Sequence, residues 1–289
     1  MSFRAAVFFP IIACFLAATR AEDTASPVAL PTQYTEKADS MPDLCQTDKA
    51  FASLPDGGKN YCGPTALANV LAAMDQRGYE DLVPGDAASK DRQLGLLKQL
   101  GSSRYLRTAD NGTGPIAAMR GIARYVRDRG YEVSIQWQGW RRGGEFATGD
   151  TVDEACLQQG TLGESNVVVN VGWYKHDAAA GVYTRVGGHY MTLVGYKKTP
   201  QKTLYLIQDP APRSGPGKVT HQARLVPIGS GELAPWKSYG RRSAVGHFLV
   251  EGIVVKRTAD VAILDGAIRM AISKREAATV NSQGREPLD

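Results

Sequence analysis

Apolar residues recur at helical spacing in three stretches of the chain. The first stretch begins with Pro64, and proline suits the first position of a helix. The second begins with Pro115 and carries its arginines on the face opposite the apolar stripe. The third comes late in the sequence and has the same spacing. The pattern therefore predicts helices over residues 63–77, 115–130 and 259–275.

Between the second and third predicted helices, the pattern changes to short runs rich in β-branched and aromatic residues. Glycines and prolines separate these runs so closely that hairpins are expected, and the predicted sheet is antiparallel. Early helices followed by a run of strands predict an α+β fold. The predicted strands cover residues 132–137, 166–171, 182–186, 189–196, 203–208 and 248–255.

The first 21 residues have the pattern of a secretory signal peptide. Arg4 gives a positive start, residues 5–18 are mostly apolar, and small residues precede Ala21, after which we expect cleavage. This apolar run is shorter than the ~20 residues that span a bilayer. The alternative is a lipoprotein signal that ends at Cys14. Residues 22–42, with several prolines among polar residues, predict an extended linker.

The composition is that of a globular protein and limits the partners to be expected. Hydrophobic residues make up 43% of the chain and charged residues 22%, which argues against a disordered or fibrous chain. The formal net charge is only +5, and no long run of like charge occurs, so a nucleic-acid partner is not expected. After the signal peptide, no apolar run is long enough to span a membrane. We therefore expect a periplasmic or secreted protein.

No motif in the sequence indicates a metal or a cofactor. There is no Cys-x-x-Cys and no spaced set of cysteines and histidines of the kind that binds zinc. There is also no glycine-rich phosphate loop after a predicted strand. We therefore predict that the protein works without a cofactor.

Cleavage after Ala21 would leave three cysteines in an oxidising compartment, where disulfides persist. They are Cys45, Cys62 and Cys156. A disulfide between Cys45 and Cys156 would leave Cys62 free, as a thiol enzyme outside the cytoplasm requires. We therefore take the Cys45–Cys156 pairing as a hypothesis.

Cys62 lies directly before the Gly-Pro that opens the first predicted helix. Unpaired backbone N–H groups and the helix dipole stabilise a thiolate at such a position, and lower its pKa from ~8.5 toward ~3.5 to 7.5. The same N–H groups can receive a developing oxyanion. The alternative is a small structural residue in the core. The position favours a nucleophile, which then needs a base and a group that orients the base.

His189 is the best-placed base among the four histidines. It follows two glycines and opens a predicted strand, and the next predicted strand ends at Asp209, before a proline. If these strands pair as a hairpin, the start of the first lies beside the end of the second, so His189 and Asp209 meet. The alternatives are a hydrogen-bonded structural histidine and an Asp-Pro that only ends a strand.

These motifs, in this order, resemble the papain-like cysteine peptidases related to those that process bacteriocin leaders after a double glycine. The likeness covers residues 45 to about 255 and depends on Cys-Gly-Pro-Thr at Cys62, Gly-His-Tyr at His189 and Asp-Pro at Asp209. The resemblance implies that Cys62 attacks a carbonyl, His189 exchanges protons and Asp209 orients His189. It also implies a helical lobe with the cysteine, an antiparallel sheet lobe with the histidine, and a substrate cleft between them.

The resemblance divides the chain into four segments. They are a signal peptide over residues 1–21, a linker over 22–42, a papain-like domain over 43–258, and a C-terminal helix and tail over 259–289.

The sequence departs from this family at one position. The family usually has a glutamine six residues before the nucleophile as an oxyanion donor, and this chain has Asp56 there. An ionised aspartate cannot donate a hydrogen bond. Gln46 and Asn60 are the candidates to supply the missing amide, and we favour Gln46. Loss of one such donor typically costs ~100 to 1000-fold in rate.

The sequence therefore predicts an exported thiol hydrolase, a cysteine peptidase that cleaves peptide or protein substrates through an acyl-enzyme on Cys62. One alternative keeps the three residues but transfers the acyl group to an amine, as in phytochelatin-synthase-like relatives with a similar Cys-Gly-Pro start. The other is a degenerate module that binds an extended peptide without turnover, as Asp56 in the glutamine position suggests.

Overall fold

The computed structural model describes residues 29–86, 88–212, 217–235, 240–256 and 258–275. The predicted signal peptide and the first part of the predicted linker lie outside these residues. Helices and one large mixed sheet make up the described chain, so the α+β class is confirmed at that level.

The described residues form five α-helices. Two of them confirm the helices predicted from the Gly-Pro and Pro115 signals, with ends that differ by one or two residues from the predicted ones. Three short 3-10 turns, over residues 49–51, 55–58 and 144–146, occur in the connecting loops. The helices are α1 (Glu36–Ser40), α2 (Cys62–Asp75), α3 (Lys90–Gly101), α4 (Pro115–Asp128) and α5 (Glu154–Thr161).

The described strands belong to one sheet, whose pairs are antiparallel except for β2 with β3 and β5 with β8. All six predicted strands lie within or overlap strands of this sheet, and two of them merge into the long β5. The strands are β1 (Gln33–Tyr34), β2 (Tyr131–Gly139), β3 (Ala147–Gly149), β4 (Ser165–Asp177), β5 (Val182–Lys198), β6 (Thr203–Gln208), β7 (Thr220–Pro227), β8 (Glu232–Ala234), β9 (Arg242–Ser243), β10 (Phe248–Glu251) and β11 (Val261–Lys274).

Six of these strands pair in a closed ring. The order is β4, β5, β6, β7, β10 and β11, and β11 pairs again with β4. Alternate side chains fill an apolar core that includes Val169, Met191, Ile207 and Leu264, and Leu157 of α5 packs against it. The pairing fixes the end of β6 beside the middle of β5, which matters because the candidate base lies within β5 and its orienter directly follows β6.

A second core lies between the helices and the sheet. Leu67 of α2 meets Val168 of β4 and Ile268 of β11 in one buried cluster, to which α3 and α4 also contribute. The hydroxyl of Thr192 in β5 donates to the carbonyl of Ala66 in α2 at 3.1 Å. This direct contact holds the first turns of α2 beside β5.

The helix predicted over residues 259–275 is wrong, because these residues form β11, which pairs with both β2 and β4. Both faces of β11 are covered, so its apolar run lacks the alternation of a half-exposed strand. Such a run cannot be distinguished from a buried helix by periodicity alone. A bulge at Asp265 shifts the register and disturbs the alternation further. The sheet thus extends past residue 258, where the papain-like domain was expected to end.

The extended linker predicted over residues 22–42 is also wrong in part. Tyr34 of β1 pairs with Tyr196 of β5, and α1 follows directly. The ammonium group of Lys37 in α1 is fully buried and donates to the carbonyl of Ser165. Two strand residues and one helical turn are too short to produce a periodic apolar signal, so the sequence pattern could not reveal them.

Candidate active site

Cys62 is the first residue of α2, and its side chain is partly exposed. The preceding residue, Tyr61, makes no side-chain cap, so its side chain leaves the first N–H groups of the helix available to other groups. Gly63 allows a close approach here, because a Cβ atom at this position would lie 3.3 Å from Thr113 and 3.4 Å from Tyr190. The start of α2 therefore packs tightly against β5, which carries the candidate base.

The hairpin predicted between β5 and β6 is confirmed, with Thr192 opposite Gln208. It brings the buried side chains of His189 and Asp209 together, with 2.5 Å between Nε2 and Oδ1. The backbone N–H of Ala211 also donates to Asp209 Oδ1, at 2.8 Å. The carboxylate is thus held on both sides and can fix the orientation of the imidazole.

The imidazole of His189 also contacts a ring and a thiol. Trp173 of β4 stacks on it, with 5.9 Å between ring centroids and 24° between planes. The side chain of Asn170 donates to the His189 carbonyl at 3.2 Å, which ties the backbone of the base to β4. The Cys62 thiol interacts with the same imidazole through a hydrogen bond and through charge. Cys62, His189 and Asp209 therefore form one connected series.

The charges of this series support one another. Burial acts to raise the pKa of the Cys62 thiol, but the hydrogen bond and charge of His189, with backbone N–H groups, lower it below its ordinary value. Burial acts to lower the pKa of His189, but hydrogen bonds to Asp209 and Cys62 raise it to about 10. Burial opposes ionisation of Asp209, yet His189 and a backbone N–H hold the pKa of its carboxyl below the usual range. The geometry thus favours a thiolate, an imidazolium and a carboxylate.

The three residues line one cavity of about 860 Å³, within the ~300 to 1,000 Å³ usual for ligand sites. Its other polar walls include Lys59 and His221, and its apolar walls include Val219 and Val254. The sulfur of the candidate nucleophile is thus open to a space large enough for part of a peptide.

Both candidates for the oxyanion amide also line this cavity. Gln46 is buried, and its Nε2 donates to the carbonyls of Gly58 at 3.0 Å and Lys59 at 2.6 Å. Asn60 is partly exposed, and its amide makes no hydrogen bond to another described residue. Asp56 is exposed and pairs with Lys59 at 2.9 Å, so its side chain takes no part in the cavity.

The predicted disulfide is not formed, because Cys45 and Cys156 are both free thiols in the structure. The Cys45 thiol contacts the hydroxyl of Thr47 at 3.6 Å and the carbonyl of Ala211 at 3.7 Å, in the loop beside Asp209. Cys156 lies on α5, where burial raises its pKa and its thiol meets Arg269. The two sulfurs have different neighbours, and Cys62 is free without any pairing of the others.

A buried ion pair next to the base was not predicted. Arg185 of β5 meets Asp265 of β11 at 2.7 Å, with side chains 11% and 0% exposed, and Asp265 also accepts from Trp140 and Tyr174. A Cβ atom on Gly188 would lie 2.1 Å from the Arg185 guanidinium, so this glycine makes room for the pair. The sequence signal that could have revealed this pair is Asp265, an aspartate within an apolar run.

Two further observations concern ligands and membranes. Among the described residues, no three histidine, cysteine, aspartate or glutamate side chains are grouped so that they could hold a metal ion. Within the same part of the chain, no helix combines the length and the apolar character that crossing a membrane requires.

Comparison with known proteins identifies the family of this chain. No curated protein matches the chain. A family model described as the Peptidase_C39 like family matches residues 39–243, which include Cys62, His189 and Asp209. Because this match covers well over half of the chain, the protein belongs to the C39-like family of papain-like cysteine peptidases.

Proposed function

We propose that this protein is an exported cysteine peptidase that cleaves peptide bonds through an acyl-enzyme on Cys62. The observation that carries the proposal is the hydrogen-bonded series of Cys62, His189 and Asp209, open to one cavity. Membership of the C39-like family supports the same class of reaction. Export is supported by the signal-peptide pattern of the first 21 residues.

The proposed reaction begins when the Cys62 thiolate attacks the carbonyl carbon of a peptide bond. A carbon–sulfur bond forms, and the carbonyl oxygen becomes an oxyanion. His189 then gives a ring proton to the leaving nitrogen and the carbon–nitrogen bond breaks. The amine product departs, and a thioester remains on Cys62. His189 next takes a proton from water, whose oxygen attacks the thioester and releases the acid. Throughout, Asp209 keeps the imidazole oriented and stabilises its charged form.

The developing oxyanion needs hydrogen-bond donors. We propose the backbone N–H groups at the start of α2 as the first donors, because Tyr61 at the N-cap makes no side-chain hydrogen bond to them. The amide of Asn60 is a second candidate, since it is not bonded to another described residue. Gln46, the donor favoured from the sequence, would have to turn one N–H away from the carbonyls of Gly58 and Lys59.

The substrate is proposed to lie between the start of α2, the middle of β5 and the end of β6, as in a papain-like cleft between a helical and a sheet lobe. Tight packing of Gly63 against Thr113 and Tyr190 supports a fixed distance between these parts. The proposed catalytic domain spans residues 43 to 274, because β11 is paired into the sheet that carries His189.

The chain offers a test with internal controls. Iodoacetamide is added to the native protein at pH 6, and the alkylation rates of Cys45, Cys62 and Cys156 are compared by mass spectrometry. We expect Cys62 to react at least about tenfold faster than the other two, since the pKa of its thiol is lowered, whereas the pKa of Cys156 is raised. Cys62→Ala is expected to abolish hydrolysis of a peptide library, and Cys156→Ala to leave it unchanged.

Two results would contradict the proposal. One is a Cys62 that reacts no faster than Cys156. The other is hydrolysis that survives in Cys62→Ala.

A further inference from the structure

Three large hydrophobic side chains are exposed in the described part of the chain, and two of them line the active-site cavity. Val254 is 72% exposed and Val219 is 37% exposed, and both face this cavity. The third, Val245, is 55% exposed and is not among its lining residues. Apolar side chains gain free energy when a ligand covers them, and apolar surface gathered at a cleft is typical of a binding site.

Val254 is presented by a fixed loop. Its neighbours Ile253 and Val255 pack against the core of the strand ring, so Val254 is left on the outside. Gly252 turns the chain with a φ of +84°, and a Cβ atom there would lie 2.2 Å from the carbonyl of Gln222 in β7. The packing of Ile253 and Val255 and the close approach of Gly252 to β7 hold Val254 in place. The apolar surface therefore exists before any ligand binds.

The cavity is also positively charged. Lys256 lines it, is exposed, and makes no ion pair with another described residue. Lys59 lines it too, although Asp56 partly neutralises its charge. Among the described lining residues Asp209 is the one carboxylate, and its charge is taken up by His189. A ligand carboxylate near Lys256 would therefore be attracted to the ammonium group.

We propose that the cavity selects peptide segments in which an aliphatic side chain, covered by Val254 and Val219, lies next to a carboxylate that pairs with Lys256. This inference depends on the proposed peptidase function and names its substrate class. A small or polar residue would leave the two valines in water, and a basic residue would be repelled by Lys256. Specificity thus comes from Val254 and Lys256 after β10 and from Val219 before β7, and not from Cys62, His189 and Asp209.

The test uses quenched fluorogenic peptides in matched pairs, built on any sequence that the library screen finds cleaved or bound. In the first pair, the two peptides differ at one position, which is leucine in one and serine in the other. In the second pair, the differing position is glutamate in one peptide and glutamine in the other. We expect the wild-type protein to prefer leucine by about tenfold in kcat/KM, as a filled apolar pocket does. We expect it to prefer glutamate by about threefold, as an exposed ion pair does, and 0.5 M salt should remove only this second preference.

Two variants, each with a matched control, test which residues cause these two preferences. Val254→Thr should lower the leucine preference by at least about threefold, because the shape is kept and a methyl group is replaced by a hydroxyl. Lys256→Gln should abolish the glutamate preference. Val245→Thr and Lys202→Gln change residues that are also exposed but do not line the cavity, so they should leave both preferences unchanged.

The outcomes separate this inference from the proposed function. If Cys62 is activated toward iodoacetamide but the peptide pairs are cleaved equally, or Val245→Thr acts as strongly as Val254→Thr, the substrate class is refuted and the peptidase proposal stands. If nothing is cleaved, binding of the same labelled peptides to Cys62→Ala is measured by fluorescence anisotropy. Unequal binding in the expected direction then supports the selectivity of the cavity, and equal binding overturns it.

Discussion

Cys62 and Cys156 have the same side chain, but their surroundings shift the pKa of the thiol in opposite directions. Burial acts to raise the pKa of both thiols. At Cys62 an imidazole and backbone N–H groups more than offset burial, whereas the contacts of Cys156 with Arg269 do not. Reactivity is therefore set by partners that donate hydrogen bonds to the charged sulfur, and not by exposure alone.

Removal of the charge on Asp209 should change the pH dependence of hydrolysis. The carboxylate helps to raise the pKa of His189 to about 10, so the imidazolium form persists up to that pH. In Asp209→Asn the pKa of His189 should fall, and the alkaline limb of the kcat/KM profile should move to lower pH. We also expect a loss of about a hundredfold to ten-thousandfold in kcat/KM, because the imidazole loses its orienting partner.

A suitable control for this variant is Asp260→Asn. Asp260 is an exposed aspartate bonded to Lys175 and to the backbone N–H of His176, away from the cavity. Its pH profile should match that of the wild-type protein. An alkaline limb that stays in place in Asp209→Asn would argue against the proposed role of Asp209.

At the scale of elements, some helical glycines lie directly against a neighbouring segment and others have open space beside them. In α4, a Cβ atom on Gly121 would lie 2.5 Å from the backbone carbonyl of Tyr105. In α3, a Cβ atom on Gly95 would meet nothing within 4 Å. The two helical glycines therefore differ only in what surrounds them.

Alanine at these two glycines should have opposite effects on stability. Gly121→Ala must push the backbone at Tyr105 away, and we expect it to lower the free energy of unfolding by about 1 to 3 kcal/mol. Gly95→Ala should raise it by up to about 1 kcal/mol, because alanine favours the helix and meets no obstacle. Urea unfolding of both variants measures the difference, and equal effects would show that the close approach is absent.

The ion pair of Arg185 and Asp265 joins two irregular strands, and its loss should be costly. Asp265→Asn keeps the size of the side chain but leaves the Arg185 guanidinium buried without a counterion, which costs about 3 to 5 kcal/mol. Glu251→Gln removes one partner of the exposed pair with Arg224, so it should cost at most about 1 kcal/mol. The midpoints of urea unfolding compare the two, and similar losses would contradict the burial of the Arg185–Asp265 pair.

In the whole molecule, the site combines residues far apart in sequence. The ring of strands fixes His189 and Asp209, and the docking of α2 on β5 adds Cys62. Neither the ring of strands nor α2 contains all three residues. The cavity therefore depends on both packing interfaces at once.

At this scale we also predict export. When the full chain is produced in a bacterium, the mature protein should appear outside the cytoplasm and begin after Ala21. Intact mass and N-terminal sequencing measure the cleavage site. A lipid attached at Cys14 would instead support the lipoprotein alternative, and a cytoplasmic, uncleaved chain would contradict both.

Local signals in the sequence were sufficient for α2, α4 and the β5–β6 hairpin. Gly-Pro at Gly63, Pro115 and the glycines before His189 act on the backbone of their own neighbours, so each element could be predicted without the rest of the fold. The same locality explains why Cys62 stood out, since a helix start is visible in a single stretch of sequence. His189 stood out because the glycines before it indicated a strand start, although in the structure β5 continues through them.

Tertiary structure alone decided what depended on distant neighbours. Whether residues 261–274 form a helix or a strand is set by β2 and β4 on either side, because an apolar run buried on both faces suits either form. The charge states of Cys62 and His189, the free thiols of Cys45 and Cys156, and the buried pair at Asp265 likewise arise from contacts between separate elements. Burial and electrostatic partners belong to the packed molecule, and a sequence pattern records only which residues are able to take part.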